Sequence, residues 1–217
     1  DYATSLAKKD GFTFIHPYDD LDVIVGQGTV GKEIFEEIGS SIDAVFVPVG
    51  GGGLLAGLGT YLKSVSPNTK IIGVEPEDAA CLKLALENNK RLALKEVGLF
   101  ADGVAVKQIG KKTFSLIKDW IDDVVTVSVD EMCASVQDTF QETRIMSEPA
   151  GALALAGLKK YVQSRGIKNK KLVAINSGAN LNFDRLGHIV ERVQLGESKE
   201  VLLSVKIPEE KGSFRRF

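Results

Sequence analysis

Four consecutive glycines, Gly50 to Gly53, separate two strongly patterned elements in the stretch VFVPVGGGGLLAG, which runs from Val45 to Gly57. Glycine costs roughly 0.5–1 kcal/mol relative to alanine inside regular structure, so such a run implies that some partner approaches the backbone closely. Before it, DAVFVPV is a short and nearly uninterrupted apolar run, the pattern of a strand buried on both faces of a parallel sheet. After it, Leu54, Leu55, Leu58, Leu62 and Val65 recur at helical spacing as far as Pro67. A strand entering a helix through bare backbone fits two readings. The unpaired N–H groups of the first helical turn, with the helix dipole behind them, form a site for an anion such as phosphate. Alternatively, the glycines only let the helix pack closely on the sheet. On the first reading a β-carbon at Gly51 clashes with the anion or forbids the required φ angle.

Strands and helices alternate downstream. KIIGVEP reads as a second strand, followed by the helical pattern AACLKLALENN. DDVVTVSV reads as a third, with Asp130 expected to cap the helix EMCASVQDTFQETRIM. Pro149 opens AGALALAGLKKYV, whose small residues suit a tightly packed helix. KKLVAINSGAN is a strand ending in a glycine-containing turn, and FDRLGHIVERV is helical. This order predicts an α/β fold, an open and mostly parallel twisted sheet with helices on both faces. Ligands of such sheets sit outside the carboxyl ends of the strands, where Gly50–Gly53 and Ser177-Gly178 both fall. Beyond Gly196, EVLLSVKIPEEKGSFRRF holds one alternating strand with nothing after it to pair with. The expected division is therefore 1–198 and 199–217, the latter the start of a truncated second domain.

Charge and cysteine usage exclude several function classes. The 27 basic and 29 acidic residues leave a formal charge of −2, with no basic block of the kind that nucleic acids or membrane surfaces require. Cys81 and Cys133 stand far apart, without a metal-ligand spacing, so neither a disulfide framework nor a zinc site is indicated and a reducing, cytoplasmic compartment is expected. No apolar stretch reaches the ~18 residues of a membrane span, and the first residues carry neither a signal pattern nor an initiator Met. The chain reads as the interior of a longer protein. His16 and His188 lack any partner pattern and read as surface or satisfied histidines.

Two phosphate ligands compete on the glycine region alone. Gly51, Gly53 and Ala56 satisfy the dinucleotide pattern G-x-G-x-x-A, with Glu75 near the place of a ribose-binding acid. A P-loop is excluded, because no Lys-Ser or Lys-Thr follows the glycines. No Lys or Arg occurs between Glu33 and Leu62, so a phosphate here is held by backbone dipoles and hydroxyls.

The segments VPVGGGGLLAG, GVEPEDAACL, FADGVAVKQIG, EPAGALALAGLKKY, SGANLNF and IPEEKGSF, in this order and spanning nearly the whole chain, resemble the biosynthetic threonine ammonia-lyase (threonine deaminase) family. The glycine loop and the SGAN turn are shared with the wider group of β-family (fold type II, tryptophan synthase β-like) pyridoxal-phosphate enzymes, whereas FADGVAVK and PEEKGSF are narrower. The resemblance implies pyridoxal 5'-phosphate as cofactor and deamination of L-threonine, with serine as a related substrate, to the 2-oxo acid and ammonia in isoleucine biosynthesis. It also implies a homo-oligomer and an amino-acid effector acting through an ACT-like regulatory domain that begins at 199–217.

Carried over by position, the resemblance makes Gly50, Gly51, Gly52, Gly53 and Leu54 donors to the cofactor phosphate and sets Ser177 against the pyridine nitrogen. A neutral hydroxyl there leaves the ring a weaker electron sink than a carboxylate would, which favours early loss of the β-hydroxyl; otherwise Ser177 is a turn residue capping the next segment. Glu148 either orients substrate at the cofactor edge or complements a helix dipole, Asp102-Gly103 closes the pocket through backbone, and Asn180 is structural. Related racemases pair the Glu of VEP with an acid six positions later; that position is Cys81 here, so no metal is expected at Glu75. The family's S-F-K Schiff-base motif and its S-x-G-N loop do not occur, so no catalytic residue is assigned within these 217 residues. The chain is expected to be the carboxyl portion of a catalytic domain, inactive alone. The alternatives are a non-catalytic phosphate-binding or assembly module and, less favoured, an NAD-binding enzyme.

Overall fold

A computed structural model describes residues 2–196 and 205–207. Four strands, β1 (Ala44–Pro48), β2 (Lys70–Pro76), β3 (Asp123–Val127) and β4 (Leu172–Ala174), form one parallel sheet in the order β3-β2-β1-β4. Phe46 on β1 lies opposite Ile72 on β2 and Ala174 on β4, so β1 is flanked on both sides. Its alternate residues serve two cores. Val45 and Val47 join Leu55, Leu58 and Leu62 of α3 (Gly53–Val65), while Ala44 and Phe46 join Leu153, Ala154 and Tyr161 of α7 (Pro149–Arg165). Burial on both faces is why the strand needs no polar alternation. The expected open parallel sheet with helices on both faces is the observed one.

From β1 the sheet grows towards β2 on one side and β4 on the other. The connections leaving β1 and β4 therefore diverge at their carboxyl ends and open a crevice. Three further helices complete the middle of the chain: α4 (Cys81–Glu87), α5 (Lys111–Ile117) and α6 (Val129–Thr143). A last one, α8 (Arg185–Gly196), comes after the turn that ends β4 and packs on α6.

The first forty residues carry elements that the pattern reading leaves unassigned, α1 (Tyr2–Asp10) and α2 (Leu21–Ile38). Asp20 caps α2 by accepting from the Asp22 N–H at 3.0 Å. Helix α2 lies directly on α3: a β-carbon on Gly31 would come within 2.9 Å of the Leu58 carbonyl, and one on Gly57 would strike the Ile24 carbonyl. That crossing brings the loop before α2 over the glycine run.

Two expectations change. Ser128, not Asp130, caps α6, in a reciprocal box with Glu131 (Glu131 N–H to Ser128 Oγ 3.2 Å, Ser128 N–H to Glu131 Oε2 2.7 Å), while Asp130 pairs with Arg192 at 2.8 Å. Strand β4 is only three residues long. The two histidines are satisfied: His16 Nδ1 accepts from the Asp19 N–H at 2.9 Å, and His188 Nε2 accepts from Arg192 at 3.1 Å. The second domain expected from residue 199 lies outside the described residues, apart from 205–207, which are in no helix or strand. Among the described residues no helix is long and apolar enough to cross a membrane.

Candidate functional site

At the crevice between β1 and β4 a cavity of about 340 Å³ collects Gly50, Gly51, Gly52, Gly53, Leu54 and Ser177, together with Tyr18, Gln27, Gly103, Val104 and Glu148. Every residue that the sequence assigned to a cofactor thus lines one space, although Gly51 and Ser177 are 126 positions apart in the chain. A larger cleft of about 500 Å³ beside the end of β4 is walled mostly by apolar surface and includes neither the glycine run nor Ser177, so the smaller one is the better candidate.

The glycines are bare because the protein itself crowds them. A β-carbon on Gly50 would sit 3.0 Å from Val104 Cα, one on Gly52 would sit 2.7 Å from Ile109 Cδ1, and one on Gly53 would sit 3.1 Å from Tyr18 Cα. One on Gly51 would strike the Tyr18 ring. Only Gly52 has a left-handed backbone, at φ +90°. The reason expected for glycine at position 51 is therefore corrected: its φ is not left-handed, and the group a side chain would hit first is an aromatic ring.

The N–H groups of the run remain unspent. None of those of Gly50, Gly51, Gly52, Gly53 and Leu54 donates to a described protein acceptor, although Gly51, Gly52 and Gly53 are buried; the first helical donor with a partner is Ala56, to the Gly52 carbonyl at 2.8 Å. Buried amides without partners are costly, and convergent ones at a helix start are complementary to an anion. No Lys or Arg is among the described residues lining the cavity, so backbone dipoles supply its positive potential.

Ser177 stands opposite on the turn after β4. Its hydroxyl reaches the Ala150 carbonyl at only 3.5 Å and, among the described residues, caps nothing downstream, which leaves it available to the cavity. Glu148 precedes α7 but makes no side-chain cap; it faces the Ser177-Gly178 turn, where a β-carbon on Gly178 would strike its carboxylate. Burial, and then the neighbouring Asp102 charge, push the Glu148 carboxyl above its ordinary range. Gly103 lines the cavity, whereas Asp102 is turned to its own Gly103 N–H (3.0 Å) and to Arg185 (3.8 Å). Asn180 is exposed and contributes backbone to Glu148.

Glu75 is fully buried at the end of β2, and both carboxylate oxygens are used: Oε1 accepts from the Leu82 N–H at 2.7 Å and Oε2 from the Lys83 N–H at 2.9 Å. It closes the start of α4 and is not presented to a ribose, which removes the acid from the dinucleotide reading. Burial pushes its carboxyl up to about 7 and the adjacent Cys81 thiol up to about 12.

Sequence reasoning missed the contribution of the N-terminal segment. Tyr18 packs on the glycine run and lines the cavity; burial, then Cys81 and Asp19, raise its phenol above the usual range. The Asp19 carboxylate accepts from the N–H groups of Lys111 (2.9 Å), Lys112 (2.7 Å) and Thr113 (3.3 Å), holding α5 against the same loop. Asp20 before the apolar LDVIVGQGTVGKEI is the legible signal for a helix here; the Asp19 contact, more than ninety positions away, has none.

Residues 1–178 match the pyridoxal-phosphate dependent enzyme family. The L-threonine dehydratase biosynthetic IlvA of Burkholderia multivorans is 51% identical over 216 residues, covering 100% of this chain and 43% of that protein. The chloroplastic threonine dehydratase 1 biosynthetic of Solanum lycopersicum is 53% identical over 216 residues, covering 100% of this chain and 36% of that protein. The chain thus spans less than half the length of these curated relatives. The solved structure of the processed form of threonine deaminase isoform 2 from Solanum lycopersicum superposes with a TM-score of 0.86 at 46% identity, covering 88% of this chain and 55% of that one.

Proposed function

Because the chain belongs to the pyridoxal-phosphate dependent enzyme family, we propose that its strand-end cavity holds pyridoxal 5'-phosphate and that the whole protein deaminates L-threonine to 2-oxobutanoate and ammonia. The observation that carries this reading is the set of unspent N–H groups from Gly50 to Leu54, aligned with Ser177 across one cavity. Half or more identity to biosynthetic threonine dehydratases supports the choice of amino acid.

When bound, pyridoxal phosphate supplies an electron-withdrawing ring that lowers the barrier to breaking bonds at the α-carbon of an amino acid. The chain's own residues bind and tune. Gly50, Gly51, Gly52, Gly53 and Leu54 offer N–H donors to the phosphate without a neutralising side chain. Ser177 offers a neutral hydroxyl to the ring nitrogen, which limits the ring's hold on negative charge and favours departure of the β-hydroxyl. Glu148, its carboxyl raised above the ordinary range by burial and then by the Asp102 charge, stands beside the Ser177 turn. Val104, Val106 and Ala150 exclude water from the apolar wall.

The same proposal places the Schiff-base lysine outside these 217 residues, in keeping with the fraction of the relatives that the chain spans. An ACT-like regulatory domain beginning at 199–217, an amino-acid effector, homo-oligomerisation and a cytoplasmic-type reducing compartment belong to it as well; two buried free cysteines support the last. Serine is the related second substrate. The absence of lysine among the described lining residues favours one other reading, a module that holds the cofactor without turnover.

Titration calorimetry of the 217-residue chain tests the core of the proposal: pyridoxal phosphate is expected to bind one site and to be displaced by inorganic phosphate. Failure to bind, or thermal protection by NAD instead, contradicts it. Joining the chain to the remainder of the protein separates the two readings, since release of 2-oxobutanoate from threonine is expected of the enzyme and not of the module.

A further inference from the structure

In a planar trans peptide the carbonyl and the N–H point in opposite directions, so whatever holds the carbonyl of one residue aims the N–H of the next. The Gly51-Gly52 peptide is held in this way. The Gly51 carbonyl accepts from Thr113 Oγ1 at 2.8 Å and from the Gly110 N–H at 3.2 Å, both at the start of α5. Thr113 is fully buried and has no exposure through which water could replace its hydroxyl. The Gly52 N–H must then point away from α5, and the cavity that Gly52 lines includes no α5 residue. The left-handed φ of Gly52 lets the chain turn there.

We propose that Thr113 is a positioning residue of the anion site, its hydroxyl fixing the Gly51 carbonyl and so aiming the Gly52 N–H into the cavity. Although it rests on the reading of that cavity as a phosphate site, the direction of the N–H is a property of the chain alone. Three features give Thr113 the rigidity the task needs. Its own N–H is bound by Asp19, its helix is held by the same carboxylate at Lys111 and Lys112, and Asp19 adjoins Tyr18, which packs on Gly51 and Gly53. Burial would raise the Asp19 carboxyl, but these three N–H groups hold it below the ordinary carboxylate range, so the anchor is charged at neutral pH. The Gly50 carbonyl has a counterpart in the Cys81 thiol, at 3.4 Å, a weaker donor.

Thr113→Val keeps the shape and removes the hydroxyl, leaving Gly110 as sole donor to the Gly51 carbonyl, whereas Thr113→Ser keeps the donor. Two measurements on the full chain decide the matter: the affinity for inorganic phosphate, and the one-bond N–H residual dipolar coupling of Gly52 without ligand, which reports the direction of that bond. Thr113→Val is expected to change the coupling and to weaken phosphate binding about tenfold, the scale of one net hydrogen bond, while Thr113→Ser matches the wild type in both. Thr113→Ala, which relieves crowding, is expected to behave as the Val variant and stands in for it if that variant does not fold. An unchanged coupling and unchanged affinity in variants lacking the hydroxyl, with only the unfolding midpoint lowered, overturn the inference. A wild-type chain that takes no phosphate overturns the proposed function instead, and the coupling then decides the inference by itself.

Discussion

Two strands of the same sheet end in a turn that delivers the start of a helix, and the two turns treat the exposed amides in opposite ways. After β2, the N–H groups of Leu82 and Lys83 are taken by Glu75 from the strand itself, a built-in pair of acceptor oxygens sealed from solvent. After β1, those of Gly50 to Leu54 are matched by no described protein acceptor, and these residues line a cavity. The difference is one side chain: β2 carries a carboxylate at its end, while β1 gives way to glycine. A helix start of this kind has one electrostatic demand, and the chain either meets it internally or leaves it for a ligand.

The largest expected effect comes from opening the closed turn. Glu75→Leu strips both acceptors from α4 and should cost about 3 kcal/mol of unfolding free energy, since each buried donor left unsatisfied costs roughly 1–3 kcal/mol. Urea denaturation measures this, and phosphate affinity is expected to stay within about twofold because the loss lies behind the other turn. Next comes crowding the open turn. Gly51→Val drives a side chain into the Tyr18 ring, and should cost about 2 kcal/mol of stability as an overpacking change as well as abolishing calorimetric phosphate binding. A variant that bound normally would place the cradle elsewhere.

How far this contrast can be read from sequence depends on range. Strand β2 and the start of α7 at Pro149 are legible because apolar runs and proline act locally. The glycine run raises the expectation of an anion site, and its shared cavity with Ser177 follows from the rule that parallel strands present ligands at their carboxyl ends. The partner of Glu75 is harder: an acid after an apolar strand reads equally as a ribose ligand, and only the fold shows its oxygens turned to α4. Tyr18, Asp19 and Thr113 are invisible in the sequence because their significance lies in contacts across most of the domain. The cap of α6 lies two residues before the expected one, Ser128 and Asp130 both being good N-cap types, and the Glu three positions after Ser128 decides between them.

A third test uses pH to weigh the closed turn. Burial lifts the Glu75 carboxyl from 4.5 to about 7. Between those values the folded chain holds a proton that the unfolded chain has released, so this group's contribution falls as pH rises through the window and is constant above it. The stability deficit of Glu75→Gln relative to wild type should therefore be largest below pH 4.5 and smaller above pH 7, as read by chemical denaturation at the two ends. A deficit independent of pH would mean that Glu75 titrates normally. The smallest effect belongs to the link between the turns: Cys81→Ala removes only a thiol donor from the Gly50 carbonyl and should weaken phosphate binding by less than about twofold, thiols being poor donors.

Titrating the isotope-labelled chain with inorganic phosphate while monitoring its amide resonances compares the two turns in one experiment. The resonances of Gly50, Gly51, Gly52, Gly53 and Leu54 are expected to shift together and saturate, while those of Leu82 and Lys83, already bonded to Glu75, stay in place. Unmoved glycine resonances, or shifts of equal size at α4, would contradict the account.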